Sequence, residues 1–249
     1  MRPVDKWPAE ARIQNNGQTI KINSDYDRYR EAKPLLALNL GQFCSYCEEA
    51  YHQLRDLHVE HIQPKKYMEG GRYIYAHLET KWDNFLLSCE TCNGQDNKDT
   101  KNVVYGKCHL PHLNNTFLSL CYMDGGVVVV NPELEGTAKE NASNLLNLVG
   151  LNKSPKESSP GDSRWKKRRK DWNLASHYLA KYREGNCDVE TIIDLVKGCG
   201  GWSIWFTIFR EHREVREALV EQFPGTSRRC FDQDYNPIPK HPGNVDDPI

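Results

Sequence analysis

"LHVEHIQPK", residues 57 to 65, sets two histidines around a glutamate on an alternating apolar stretch that runs into a proline and a lysine. Alternation with a period of two marks a half-buried strand. On such a strand His58, Glu60 and Ile62 face one way and Leu57, Val59 and His61 the other, so the two histidines need not share a site. The frame around the stretch decides its reading. "CSYC" (Cys44 to Cys47) precedes it and "CETC" (Cys89 to Cys92) follows it, with 41 residues between the two pairs. Two residues between cysteines let both thiolates of a turn point at one ion. Two such turns complete a tetrahedral four-cysteine site that clamps the ends of the intervening segment. Cys44, Cys47, Cys89 and Cys92 therefore read as ligands of a structural Zn²⁺, whereas Cys108, Cys121, Cys187, Cys199 and Cys230 have no matching pairs and read as small apolar residues.

The chain has 249 residues, 38% of them apolar and 27% charged, which is the composition of a globular protein and excludes a disordered one. The start, "MRPVDKWPAEARIQNNG", lacks the apolar centre of a signal peptide. No stretch approaches the roughly 18 to 20 apolar residues of a membrane span. A cytoplasmic location without membrane contact is expected, and in a reducing compartment nine cysteines are not a disulfide scaffold. The net charge of −1 does not announce a nucleic-acid binder, so such an activity needs a local patch or a partner.

Along the chain, "DYDRYREAKPLLALNL" reads as helical turns interrupted near Pro34 and ending at Gly41. Leu57 to Ile62 and Phe85 to Leu87 read as strands, and "FLSLCYMDGGVVVVNPE" as a hairpin reversing at Asp124-Gly125-Gly126. Beyond Ala138 the pattern is helical, and the tail from Pro224 is rich in Pro and Gly. "RWKKRRK" (Arg164 to Lys170) places six basic residues in seven; on a helix it is a solvated face, a phosphate-contacting arm or a surface for an acidic partner. "GWSIWFTIF" (Gly201 to Phe209) is too short for a membrane span and reads as core, with a protein interface as the other reading.

"WDNFLLSCETCNGQDNK" places Asn84 just before a strand and Asn93 after the last paired cysteine, where a short helix could begin. A carboxylate, a histidine and two amides are the parts of a single-metal phosphodiesterase: oxygen ligands for a hard cation and an imidazole that deprotonates water. The ordered set "VEHIQPK", "WDNFLLSC" and "CETCNGQDNK", with both knuckles, resembles the HNH endonuclease family over about Phe43 to Lys101. The resemblance implies an α+β fold: a ββα-metal HNH core framed by the four-cysteine zinc site, with a mainly α-helical C-terminal region. The corresponding division is an N-terminal arm and helix (1–42), the zinc-framed nuclease core (43–115), a connecting hairpin (116–137), a helical region (138–224) and the tail (225–249).

Carried over by position, the resemblance makes His61 the general base, has Asn84 hold the base's orientation, and makes Glu60 and Asn93 the ligands of a catalytic cation. Glutamate stands where the family usually has aspartate or histidine, and Asn93 where it often has histidine. Oxygen donors favour Mg²⁺ or Mn²⁺ there. Asn97 and Asp96 rival Asn93, because "NGQDNK" holds two extra residues before its lysine. Because adjacent strand residues point apart, Glu60 and His61 can approach one phosphate only if the strand is irregular or ends there. Lys65, Lys66, Lys98 and Lys101 are candidates for phosphate contacts, with solvated surface lysines as the other reading, and His77 reads as a loop residue.

Five further pieces, "MRPVDK", "FCSYCE", "VVNPELEG", "NLVGLN" and "FPGTSRRCFD", are in order similar to the PtuB-type HNH nucleases of Septu antiviral systems and their retron-associated relatives. That resemblance implies an antiphage effector nuclease acting on DNA, or RNA, with a PtuA-type ATPase and, in the retron form, a reverse transcriptase complex. The rival reading is a catalytically weak zinc-knuckle module that binds nucleic acid or a partner. A redox or zinc-hydrolase role for the cysteine pairs is disfavoured, because four thiolates leave zinc no open position.

Overall fold

Strand β1 (Arg12–Asn15) and β2 (Gln18–Lys21) form an N-terminal hairpin, and after a 3-10 turn comes helix α1 (Lys33–Leu40). The computed structural model describes residues 1–154 and 156–249. Pro34 does not interrupt a longer helix but sits in the first turn of α1, where its missing N–H leaves no bond unmade. Gly41 ends the helix at φ 78°.

The central unit is strand β3 (Leu57–His61), the excursion that carries the short hairpin β4 (Met68–Glu69) and β5 (Arg72–Tyr73), strand β6 (Phe85–Cys89) and the single helical turn α2 (Glu90–Asn93). Strands β3 and β6 pair antiparallel with Leu57 opposite Cys89 and His61 opposite Phe85. Strand β6 is buried throughout, which its unbroken "FLLSC" requires, whereas β3 passes from an exposed His58 to a buried Glu60. Asn93 therefore closes α2; the expectation that it begins a helix is corrected, because the thiolate of Cys89 already caps that turn by accepting from the Cys92 N–H.

Helix α3 (Thr116–Ser119) leads into the hairpin of β7 (Leu120–Met123) and β8 (Val127–Val130), which reverses at the expected Asp-Gly-Gly. Helices α4 (Gly136–Val149), α5 (Arg164–Arg183), α6 (Val189–Cys199), α7 (Trp202–Ile208) and α8 (Arg213–Glu221) follow. Trp202, Ile204, Trp205, Phe206 and Phe209 are buried, the core reading of that segment. One continuous apolar core joins Leu57, Phe85 and Leu86 of the central unit to Leu145, Val196, Trp205 and Leu219 of the helices. Among the described residues no helix is long and apolar enough to cross a membrane.

The turn between β7 and β8 seats against helix α5. Gly126 has φ 74°, and a Cβ there would lie 2.5 Å from backbone atoms of Arg168 and Arg169, so only glycine allows this approach. The basic run splits accordingly. Arg164, Arg168, Asp171 and Ala175 are the buried stripe of α5, whereas Lys166, Arg169 and Lys170 are exposed. The run is thus solvated only in part: Arg164 pairs with Asp162, Arg168 bonds the Gly126 and Leu151 carbonyls, and Lys167 pairs with Asp171.

Candidate active site and metal centre

Both knuckles are built on the end of the β3–β6 pair. The first is tied to β6 by the Ser45 N–H donating to the Leu87 carbonyl (2.8 Å), which brings Cys44 and Cys47 beside Cys89 and Cys92. The four sulfurs lie within 4.8 Å of one another, with Cys47 and Cys89 Sγ 3.7 Å apart. Zn–S bonds of about 2.3 Å in a tetrahedron require an edge of about 3.8 Å, so the cluster fits zinc. Arg164 Nη1 donates to Cys92 Sγ at 3.2 Å, placing a buried cation against a centre that carries excess negative charge when metallated. Among the described residues this is the one cluster of three or more His, Cys, Asp or Glu that could hold an ion.

His61 is the last residue of β3, half-buried between Tyr29, whose ring centroid is 4.9 Å away edge-on, and Phe85 at 5.3 Å. Its Nε2 lies 2.8 Å from the Glu79 carbonyl. A carbonyl only accepts, so Nε2 carries the proton and Nδ1 keeps its lone pair. Burial lowers the imidazole pKa, outweighing the opposing pull of that carbonyl. The result is a neutral ring with one basic nitrogen.

Asn84 is buried but does not touch His61: its Oδ1 accepts from Gln63 N–H (2.8 Å) and its Nδ2 donates to the Gln63 and Leu78 carbonyls. It holds both ends of the 63–79 excursion, and the excursion in turn supplies the Glu79 carbonyl to the imidazole. Glu79 and Tyr29 were not singled out in the sequence, since a backbone carbonyl leaves no residue signature and Tyr29 lies 32 residues away on another element.

Glu60 is 1% exposed. Its Oε1 pairs with Lys98 Nζ at 2.5 Å and accepts from the Tyr46 hydroxyl of the first knuckle at 3.3 Å. Burial raises the carboxyl pKa, and Lys98 and Tyr46 oppose that rise. Lys98 is corrected from a phosphate contact to an interior residue: it is fully buried and also donates to the His61 carbonyl (2.7 Å). Strand β3 ends at His61, but its pairing is regular through Glu60 opposite Leu86 and His61 opposite Phe85, so the strand shows no irregularity that turns the two side chains to one side.

Asn93 is half-exposed, and its amide makes no hydrogen bond among the described residues. Asn97 by contrast is satisfied at both ends, donating to the Thr91 carbonyl and accepting from Lys153. Asp96 is exposed, and so are Lys66, Lys101 and His77; His58 is exposed as well. Lys65 is half-buried, paired with Glu79 at 2.5 Å and lying 4.1 Å from the Tyr29 ring centroid.

Residues 44–99 match the family model described as HNH endonuclease. The segment is similar to an HNH endonuclease domain. It contains both knuckles, the β3–β6 pair, His61, Asn84 and helix α2. The chain is also 30% identical over 82 residues to Septu protein PtuB of Bacillus mycoides (strain KBAB4), a likeness that covers 30% of this chain and 28% of that protein. An HNH endonuclease of PtuB type is what these likenesses support.

Proposed function

We propose that this chain hydrolyses nucleic-acid phosphodiester bonds as the effector nuclease of an antiphage system. The observation that carries the reading is His61: inside the HNH domain, neutral, with Nε2 engaged and Nδ1 free to take a proton from water. Asn84 positions the excursion that orients the ring, and Lys65, Lys66 and Lys101 supply positive charge for the phosphate backbone.

Glu60 and Asn93 would hold the catalytic cation. One carboxylate and one amide are oxygen donors suited to Mg²⁺ or Mn²⁺, and Glu60 would share its charge between the cation and Lys98. When bound, the cation stabilises negative charge on the scissile phosphate and the leaving oxygen. Zinc at the four cysteines stays structural, holding the strand pair and α2 in register.

The likeness to Septu PtuB favours a partner of the PtuA type, an ATPase, and DNA or RNA as substrate, inside the cytoplasm. It carries no reverse transcriptase with it. Incubation of the protein with supercoiled plasmid and with structured RNA, in Mg²⁺ or Mn²⁺ and with or without a PtuA-type ATPase, tests the activity. Cleavage of either substrate is expected, and complete inertness in every combination returns the chain to a zinc-knuckle binding module.

A further inference from the structure

A cavity of about 610 Å³ lies away from the residues of the proposed active site, between the Asp124–Gly126 turn and helix α5. Its size falls in the range of small-ligand pockets, roughly 300 to 1,000 Å³. Trp165, Arg168 and Arg169 line it from α5, together with Asn152, Lys153 and Asn173. Arg168 is a fixed cation: its Nε and Nη2 donate to the Gly126 and Leu151 carbonyls, while its Nη1, also buried, has no hydrogen-bond partner. Arg169 on the next position is exposed. One carboxylate, Asp124, also lines the cavity, with an oxygen that accepts from the Gly125 N–H at 2.6 Å. Three cations against one anion leave the cavity positive.

The chemistry divides in two. A half-buried indole offers a stacking face for an aromatic ring, Arg169 and Lys153 offer charge-assisted donors for a phosphate, and Arg168 adds a fixed positive charge behind them. The two side amides of Asn152 and Asn173 supply both donors and acceptors to an edge between those ends. Nucleoside phosphates combine an aromatic ring, an edge of mixed donors and acceptors, and an anion.

Lys153 connects the cavity to the nuclease domain. Its Nζ donates to the Asp96 carbonyl and, at 3.0 Å, to Asn97 Oδ1. The next residue is Lys98, the partner of Glu60. A phosphate that draws on Lys153 therefore loosens the segment that holds the buried Glu60–Lys98 pair.

We propose that this cavity binds a nucleoside phosphate and that occupancy acts on the nuclease domain through Lys153. The regulatory half rests on the nuclease reading, whereas the binding half does not. The ligand is either a free nucleotide or one nucleotide of a single strand, since both present the same ring and phosphate.

Calorimetric titration of the full chain with AMP, ADP, adenosine, pyrophosphate and a 5′-phosphorylated four-nucleotide DNA, all without added divalent cation or chelator after the zinc content has been checked, tests binding. AMP or ADP should bind at least tenfold more tightly than adenosine or pyrophosphate. Binding of the oligonucleotide without the mononucleotides also supports the site and identifies a strand as the source. Trp165→Ala and Arg169→Glu should each weaken binding tenfold or more, and Lys170→Ala, on the same helix but not lining the cavity, should not. Hydrogen exchange at residues 94–98 should change on saturation. Absence of binding by any probe, pyrophosphate as tight as ADP, or indifference to both Trp165→Ala and Arg169→Glu overturns the site. Binding with unchanged exchange at 94–98 overturns the coupling but leaves the nuclease reading intact.

Discussion

A histidine acts as a base only when one ring nitrogen is free and unprotonated at working pH. His61 meets both conditions through its neighbours: the Glu79 carbonyl fixes the proton on Nε2, and burial against Tyr29 and Phe85 depresses the imidazolium. The active form is the neutral one, so protonation ends activity. Because the folded pKa lies below the usual 6.5, the acid limb of kcat/KM should have its midpoint below pH 6.5. A pH–rate profile with that limb at or above 6.5 would show that burial does not tune this ring. The same shift makes His61's share of stability fully present above pH 6.5 and lost as pH falls through the lower, folded value. At this scale His61 was legible as a candidate base, whereas the Glu79 carbonyl that bonds its Nε2 was not. Asn84 acts on the ring only at one remove, through bonds to Gln63 and Leu78 that close the excursion carrying the Glu79 carbonyl. Lys98 reads from the sequence as a candidate phosphate contact, and nothing in "NGQDNK" signals that it is fully buried against Glu60 and the His61 carbonyl.

At the scale of elements, the knuckles were legible because their chemistry is local: a two-residue spacing makes its own turn, and two such turns imply one ion. About one zinc per chain is expected in the purified protein, measured by atomic emission. Cys92→Ser should lower that content severalfold and expose the strand pair to proteolysis; zinc-free but folded wild-type protein would contradict the site. The buried stripe of α5 was not legible. Arg164, Arg168 and Asp171 recur at helical spacing, yet hydropathy assigns charged residues to solvent, and it is the carbonyls of Val149, Gly150, Leu151 and Gly126, with the ion partners Asp162 and Lys167, that offset the cost of their burial. The Asp-Gly-Gly reversal was read as a tight turn, and its packing against α5 adds a second reason for glycine. Gly126→Ala combines a left-handed backbone cost of about 1–2 kcal/mol with a close contact on Arg168. A loss of about 2 kcal/mol or more is expected, which lowers Tm by roughly 4–8 °C in a chain of this size; an unchanged melting temperature would mean the turn shifts freely.

On the scale of the whole molecule, the fold joins a small zinc-framed strand pair to five C-terminal helices through one core, so the helices support the nuclease domain directly. Arg164 reaches from α5 to Cys92, and Lys153 reaches from the end of α4 to Asn97, so both contacts run from the helical region into the HNH domain. With a net charge of −1 and two of the six basic residues of the run buried, the molecule offers no broad field for nucleic acid. A partner that delivers or licenses substrate fits that balance, and the order of the short motifs already pointed to one. The most direct test of the central claim is the cleavage rate of His61→Ala against wild type, at matched zinc content, on whichever nucleic acid the wild type cuts in Mg²⁺ or Mn²⁺. A fall of about 10²–10⁴-fold is predicted for loss of the base. Cutting by His61→Ala at the wild-type rate would contradict the account.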